Sequence, residues 1–405
     1  MSGTITECRV CASPILEPVI DLGSQPWCGN FLKEDAVGTE PLFSLRLVYC
    51  ERCCTPQLDY TVPKEYMFSD HTYLSNITYT LSNHFKSVAQ EVKQRFFRAQ
   101  DTPSVLDIGS NDGLALKHYQ DLGFDVLGVE SAKTAARLAR EAGIPTENAF
   151  FDLGFAERLG RTFDVVSASG VFFHLEDLHS VVEGIKRVLA HDGIFVVQFL
   201  YMKRIIENRA FDQIYHEHLL YYTLKNIATL LNSHGMEMFD AYLSSIHGGS
   251  IIGFITHKGR QPQSQRLGDL RSIEDRDETN MKKTYLSFAK SIEVMKVENL
   301  EYLERKKSQG KTIFGFGAPA KGNTLLNYFN IGGQYLDLLV EKNRLRKNLY
   351  SPGQHLKIVM EDELAAPPDV YYVLAWNFKD EILAKNAHLI EKGVEFYFPV
   401  DPLAV

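Results

Sequence analysis

No stretch of this chain is apolar over anything near the ~20 residues that a bilayer-crossing helix needs, so a membrane span is not expected. Positive charge is also short: 43 Lys and Arg stand against 51 Asp and Glu, a formal net charge of −8. Binders of duplex nucleic acid carry a basic face, so nucleic acid is not an expected partner. The opening Met1-Ser2-Gly3-Thr4 lacks the basic-then-apolar pattern of a secretory leader, and cytoplasmic residence is the default expectation. Cysteine is scarce, six in 405 residues, and the last of them is Cys54. Nothing else indicates an oxidising compartment, so this clustering points to metal rather than to a disulfide framework.

What is present falls into four stretches. Residues 1–65 hold turn formers and short alternating runs such as Phe43–Tyr49, a small β-rich unit too short to stabilise itself well by burial alone. Residues 66–257 alternate helical stretches with the apolar runs Ser104–Gly109, Val126–Glu130, Phe163–Ala168 and Gly193–Gln198. Strands so spaced predict an α/β domain with a mostly parallel sheet. The polar residues from His257 to Lys283 are expected to be a linker. A long helix should follow, with Leu286, Ala289, Ile292, Met295, Leu300 and Leu303 near helical spacing and an end by Gly310, so that linker and helix fill 258–310. From Lys311 to the end at 405, a second strand, glycine loop and helix predict another Rossmann-like domain.

Four motifs carry chemistry. Cys8-x-x-Cys11 and Cys50-x-x-Cys53 offer four thiolates to a tetrahedral Zn²⁺. Four protein ligands leave no open position, so the metal would be structural; four buried cysteines without metal is the plainer alternative. Cys28 and Cys54 are left over, and Cys54 is a competitor for the place of Cys53. The second motif, Asp107-Ile108-Gly109-Ser110-Asn111-Asp112-Gly113, ends a strand in a tight glycine turn. Its acids would repel a pyrophosphate but suit the cationic amino-acid end of S-adenosylmethionine, and Glu130 ends the next strand, where ribose hydroxyls would lie. The third, Tyr215-His216-Glu217-His218, packs a phenol, a carboxylate and two imidazoles together. An imidazole titrates near neutrality and can act as general base. A metal site on the two histidines and a plain polar loop stay open. If extended, the segment would put Tyr215 and Glu217 on one face; a turn would mix the faces. The fourth, Gly315 to Thr324, is a glycine-rich loop opening a helix, with Lys321 as a cation for a diphosphate; a nucleotide domain without its ligand is the alternative. His174 and His247 are lesser signals.

In this order the segments resemble the sugar C-methyltransferases of branched deoxysugars. The resemblance rests on the paired CxxC, DIGSNDG at 107–113, YHEH at 215–218, HGGS at 247–250, GFGAPAKGNTLLNY at 315–328, YSPGQH at 350–355 and AWNF at 375–378. It implies a zinc-binding N-terminal domain, a class I methyltransferase domain and a C-terminal Rossmann-like domain that binds a nucleotide-diphosphate keto-sugar. It implies methyl transfer to C3 of a 4-keto-sugar, with His218 as base and Tyr215, Glu217 and His174 beside it. An upstream tyrosine, Tyr73 or Tyr79 with Tyr79 preferred, completes that set. Cofactor contacts would come from Asp107, Gly109, Ser110, Asn111, Asp112, Gly113 and Glu130, and substrate contacts from His247, Gly317, Lys321 and Asn323. An O- or N-methyltransferase, an NAD-dependent oxidoreductase and a scaffold with a dead methyltransferase domain are the rival readings, and oligomeric state is left open.

Overall fold

The structure, a computed structural model, describes residues 3–68, 79–400 and 403–404. The N-terminal unit is β-rich, as expected. Strands Leu16–Pro26, Leu42–Cys50 and Pro56–Leu58 form an antiparallel sheet, and Gly3–Thr4 pairs with Tyr60–Thr61. Alternation in the middle strand turns Leu45 and Leu47 inward, both essentially unexposed.

The second sheet has seven strands. Leu189–Leu200, Phe163–Ser169, Ser104–Ile108, Asp125–Val129 and Thr146–Glu147 run parallel in that spatial order. Ser250–His257 and Met236–Ser244 close one side antiparallel. Helices cover both faces, which is why Val105, Leu106, Val165 and Val166 are all buried in unbroken apolar runs. The third sheet has five parallel strands, Ile358–Met360, Leu338–Glu341, Ile313–Phe316, Val370–Val373 and Glu395–Phe398, and one antiparallel edge, Leu403–Ala404.

The expected linker is only partly one. Gln265–Arg276 is a helix, its first turn capped by Ser264 Oγ accepting from Leu267 N–H at 3.2 Å. Of its residues only Leu267 and Glu274 are buried, so no apolar stripe announces it. Glu274 earns its place by capping another helix: its carboxylate accepts from Leu224 N–H at 2.6 Å, Lys225 N–H at 3.3 Å and Asn280 Nδ2 at 3.0 Å. The first turn of Leu224–Ser233 is where a negative charge is favoured.

The long helix is Lys282–Ser308. Its buried face is carried by Tyr285, Phe288, Ile292, Met295, Tyr302 and Leu303, whereas Leu286, expected inside, is 45% exposed. The ring of Tyr285 lies 5.3 Å from Tyr49 of the N-terminal sheet, and Asn299 Nδ2 donates to Pro399 O at 3.0 Å. One helix thereby touches both flanking units. Among the described residues no helix is long and apolar enough to cross a membrane.

Glu274→Ala leaves three buried donors without an acceptor and is expected to cost at least about 2 kcal/mol. Ser264→Ala removes one half-exposed cap and should cost about 1 kcal/mol. Urea unfolding of the two variants side by side checks the ranking.

Candidate active site

The four cysteine Sγ atoms of Cys8, Cys11, Cys50 and Cys53 lie within 4.8 Å of one another. Cys8 and Cys53 are 3.5 Å apart and Cys11 and Cys50 3.6 Å. A tetrahedron with Zn–S bonds of about 2.3 Å has edges of about 3.8 Å, so the residues fit a structural Zn²⁺. Donors already surround the sulfurs: Gln57 Nε2 reaches Cys8 Sγ at 3.1 Å, Val10 N–H reaches it at 3.4 Å, and Thr55 Oγ1 lies 3.0 Å from Cys53 Sγ. Cys54, the competitor for the place of Cys53, is outside the cluster, as is Cys28.

At the carboxyl end of Ser104–Ile108 the chain turns sharply. Gly109 has φ +69°, and a Cβ there would come within 2.4 Å of Val171 Cγ2; Gly113 has φ +82°. Asn111 also sits at φ +51°. Glu130, one residue past Asp125–Val129, accepts from Asn111 N–H at 2.9 Å and Ala132 N–H at 2.7 Å. Asp107 is buried and accepts from Ser167 Oγ at 2.6 Å. Burial pushes its carboxyl up to about 7, and the Glu130 charge adds to the rise. Ser110 Oγ is buried with no hydrogen-bond partner among the described residues, and Asp112 is half-buried. Two facing acids and an unsatisfied hydroxyl beside a bare glycine turn fit a ligand with a cationic end and hydroxyls, as S-adenosylmethionine has.

Residues 215–218 form a turn, closed by His218 N–H to Tyr215 O at 2.8 Å, so the two faces of an extended strand do not exist here. The Tyr215 ring lies over His218 with centroids 3.8 Å apart. Phe173 at 4.5 Å and His174 at 5.2 Å flank the same imidazole. His216 points elsewhere: its Nε2 lies 3.3 Å from Phe43 O in the N-terminal unit. That disposes of a metal site on the two histidines; among the described residues only the four cysteines form a ligand cluster. Glu217 is buried and accepts from Trp27 Nε1 at 2.6 Å, while its backbone oxygen lies 2.5 Å from His174 Nδ1.

The His218 Nδ1 faces Gln213 O at 2.8 Å. A carbonyl only accepts, so Nδ1 carries the proton and Nε2 keeps its lone pair. Burial holds the imidazole well below its usual pKa, with His174 adding to the depression and the Glu217 charge opposing it. Burial also keeps the Tyr215 phenol protonated, although one side of Tyr215 remains open, as on a cleft wall. His174 is tied through Nδ1 to a carbonyl, so when neutral it has no N–H left to give.

The C-terminal residues reach this region at Asp212 and Cys28. Gly317 has φ +79°, and Asn323 is buried with its Nδ2 on Cys28 O at 2.7 Å. Lys321 is not the open phosphate cation expected. Its Nζ lies 3.4 Å from the buried Asp212 and 3.9 Å from the centroid of Trp376, whose Nε1 donates to the same carboxylate at 2.7 Å. His247, at φ +55°, is exposed. Tyr79 opens helix Tyr79–Phe96, and Tyr73 lies outside the described residues. Sequence reasoning missed Trp27, Asp212 and the Gln213 carbonyl. None has a spacing signal: Trp27 is 190 residues from its partner, and a carbonyl belongs to every residue.

A glycine turn with buried acids at neighbouring parallel strand ends, in a sheet covered by helices on both faces, defines a methyltransferase of the Rossmann-like class. Family models match in chain order: "Putative zinc binding domain" over residues 8–68, "Methyltransferase domain" over 81–240 and "C-methyltransferase C-terminal domain" over 245–401. The C-methyltransferase NovU of Streptomyces niveus is 31% identical over 406 residues, covering 98% of this chain and 96% of that protein. The chain belongs to the C-methyltransferase family; its cofactors are S-adenosylmethionine and a structural Zn²⁺. The mitochondrial arginine-hydroxylase NDUFAF5 of Mus musculus matches at 33% over 99 residues, 24% of this chain and 29% of that protein. The solved plantazolicin methyltransferase BpumL, complexed with a pentazolic desmethylPZN analog and SAH, is 16% identical at a TM-score of 0.37, covering 45% of this chain and 86% of that chain.

Cys50→Ser is expected to abolish stoichiometric zinc, read by elemental analysis, and to lower the melting temperature; an unaltered metal content would refute the ligand set. A second expectation concerns acid. Burial holds His216 at about 4, against ~6.5 for an unfolded histidine. Between those values the unfolded chain binds a proton that the folded chain does not, so stability falls as pH drops from about 6.5 to about 4. The slope should flatten in His216→Gln, measured by urea midpoints across that window.

Proposed function

We propose that the chain methylates a carbon, C3, of a nucleotide-linked 4-keto-sugar, with His218 as the base. The observation that carries this reading is the Nδ1 contact to Gln213 O at 2.8 Å, which leaves a neutral imidazole with its Nε2 lone pair available. A ketone at C4 acidifies the C3 hydrogen. His218 Nε2 takes that proton, the C–H pair moves into the enolate, and negative charge grows on the C4 oxygen. The Tyr215 hydroxyl, kept protonated by burial, donates to that oxygen. Glu217, buried beside them, steadies the imidazolium that forms. His174 orients the turn through its contact with Glu217 O at 2.5 Å rather than feeding the oxyanion. S-adenosylmethionine, held by the loop from Gly109 to Gly113 together with Asp107 and Glu130, supplies an electrophilic methyl group when bound.

The division at 1–65, 66–257, 258–310 and 311–405 serves this reading, because each sheet lies within one of those spans. The sugar lies between the second and third sheets, with Gly317, Lys321 and Asn323 contributed by the C-terminal unit and His247 by the loop joining Met236–Ser244 to Ser250–His257. Lys321 paired with Asp212 offers a neutral donor and acceptor set, better suited to hydroxyls than to an isolated anion. Glu341, ending the strand after the second glycine loop, accepts from Ala318 N–H at 2.9 Å and Lys342 N–H at 2.7 Å much as Glu130 does in its own loop, and it is the C-methyltransferase family membership that favours methyl transfer over the NAD reading.

His218→Asn is expected to lower turnover about 10²- to 10⁴-fold while calorimetry still shows S-adenosylmethionine binding. A substrate deuterated at C3 should lose its label as product forms. Retention of the label would move the reaction to oxygen or nitrogen.

A further inference from the structure

Trp27 belongs to the N-terminal unit, one residue beyond the strand Leu16–Pro26, yet its indole N–H meets the Glu217 carboxylate at 2.6 Å. A bond this short to a charged acceptor is of the strong kind. The indole is fixed from several sides. Its ring meets Tyr66 edge-on at 5.7 Å, Tyr66 meets Phe43 at 5.9 Å, and Phe43 meets His216 at 5.9 Å. A Cβ at Gly29 would come within 2.8 Å of the indole, so the bare glycine backbone lets the ring lie where it does. The next residue is anchored too, since Cys28 O accepts from Asn323 Nδ2 of the C-terminal unit at 2.7 Å. On the other side of the contact, Glu217 is buried, and its charge acts on both Tyr215 and His218.

We infer that Trp27 is a positioning residue for the transfer: its indole N–H holds the Glu217 carboxylate beside Tyr215 and His218, so a residue of the zinc-binding unit sets the geometry of the catalytic turn. The inference rests on the reading of 215–218 given above. Losing the N–H removes one of the bonds that set the direction of the carboxylate, and the imidazolium formed during proton removal then meets a less well placed counter-charge. Binding of the methyl donor, which uses the other strand ends, is untouched.

The test uses the full zinc-loaded chain, S-adenosylmethionine and a dTDP-linked 4-keto-6-deoxyhexose. Trp27→Phe keeps a ring and removes the donor; it is expected to lower kcat about tenfold, with KM for S-adenosylmethionine unchanged. Introduced into Glu217→Leu, which has no oxygen to accept the indole N–H, the same change should cost less than about twofold, because the interaction is already gone. Full additivity, or an unaltered kcat in Trp27→Phe, overturns the inference. A second arm needs no turnover. The chain has two tryptophans, so Trp376→Phe leaves Trp27 as its sole indole emitter. In that background Glu217→Leu, which removes the acceptor, should shift the Trp27 emission; indifference would sink the contact itself. Failure of the unaltered chain to methylate the keto-sugar would instead sink the functional reading, with the emission arm still deciding whether Trp27 holds Glu217.

Discussion

Two backbone hydrogen bonds join the N-terminal unit to the segment that carries His218: Leu58 N–H to Leu219 O and Tyr221 N–H to Pro56 O, both at 3.0 Å. Strand Pro56–Leu58 begins three residues after Cys53, a member of the four-thiolate cluster. A unit of about 60 residues buries too little surface to hold one conformation firmly, so the metal's tie across Cys8, Cys11, Cys50 and Cys53 fixes the strand, and the strand fixes the turn. Zinc does not need to touch substrate to matter for catalysis. It would stiffen the wall against which the 215–218 turn is built.

Burial does the electrostatic work around that turn. Desolvation disfavours charge, so it pushes His216 and His218 towards neutrality and Tyr215 towards the protonated phenol. These are the states that a base and a hydrogen-bond donor need at neutral pH. Opposing this, the buried Glu217 charge favours a cationic imidazole, as is useful once the proton has moved. A single carboxylate thus balances a hydrophobic cage, and its position decides how strongly it acts. The same logic governs Asp107, whose carboxyl is pushed up by burial and further by the neighbouring Glu130 charge.

Much of the fold was legible. Apolar runs at the right spacing marked the parallel strands of both sheets, because strands covered on two faces must be apolar throughout. Failures came where burial was not apolar. The helix Gln265–Arg276 was taken as linker since its buried anchor is Glu274, a charged residue satisfied by backbone amides from another helix. Leu286 fits the helical period but faces solvent, while Tyr285 and Phe288 face the core. Periodicity gives a face, and only neighbours decide which face is covered.

Sequence by itself determined the thiolate pairs, the glycine turn with its acids and the crowding of Tyr215, Glu217 and His218, since each is a local run of atoms with local chemistry. Tertiary structure alone decided which nitrogen of His218 is protonated, that His216 turns away to Phe43, and that Lys321 is neutralised by Asp212. Those outcomes depend on groups brought together from distant parts of the chain. Hydrogen-bond partners and burial act through space, and the spacing of letters carries no record of either.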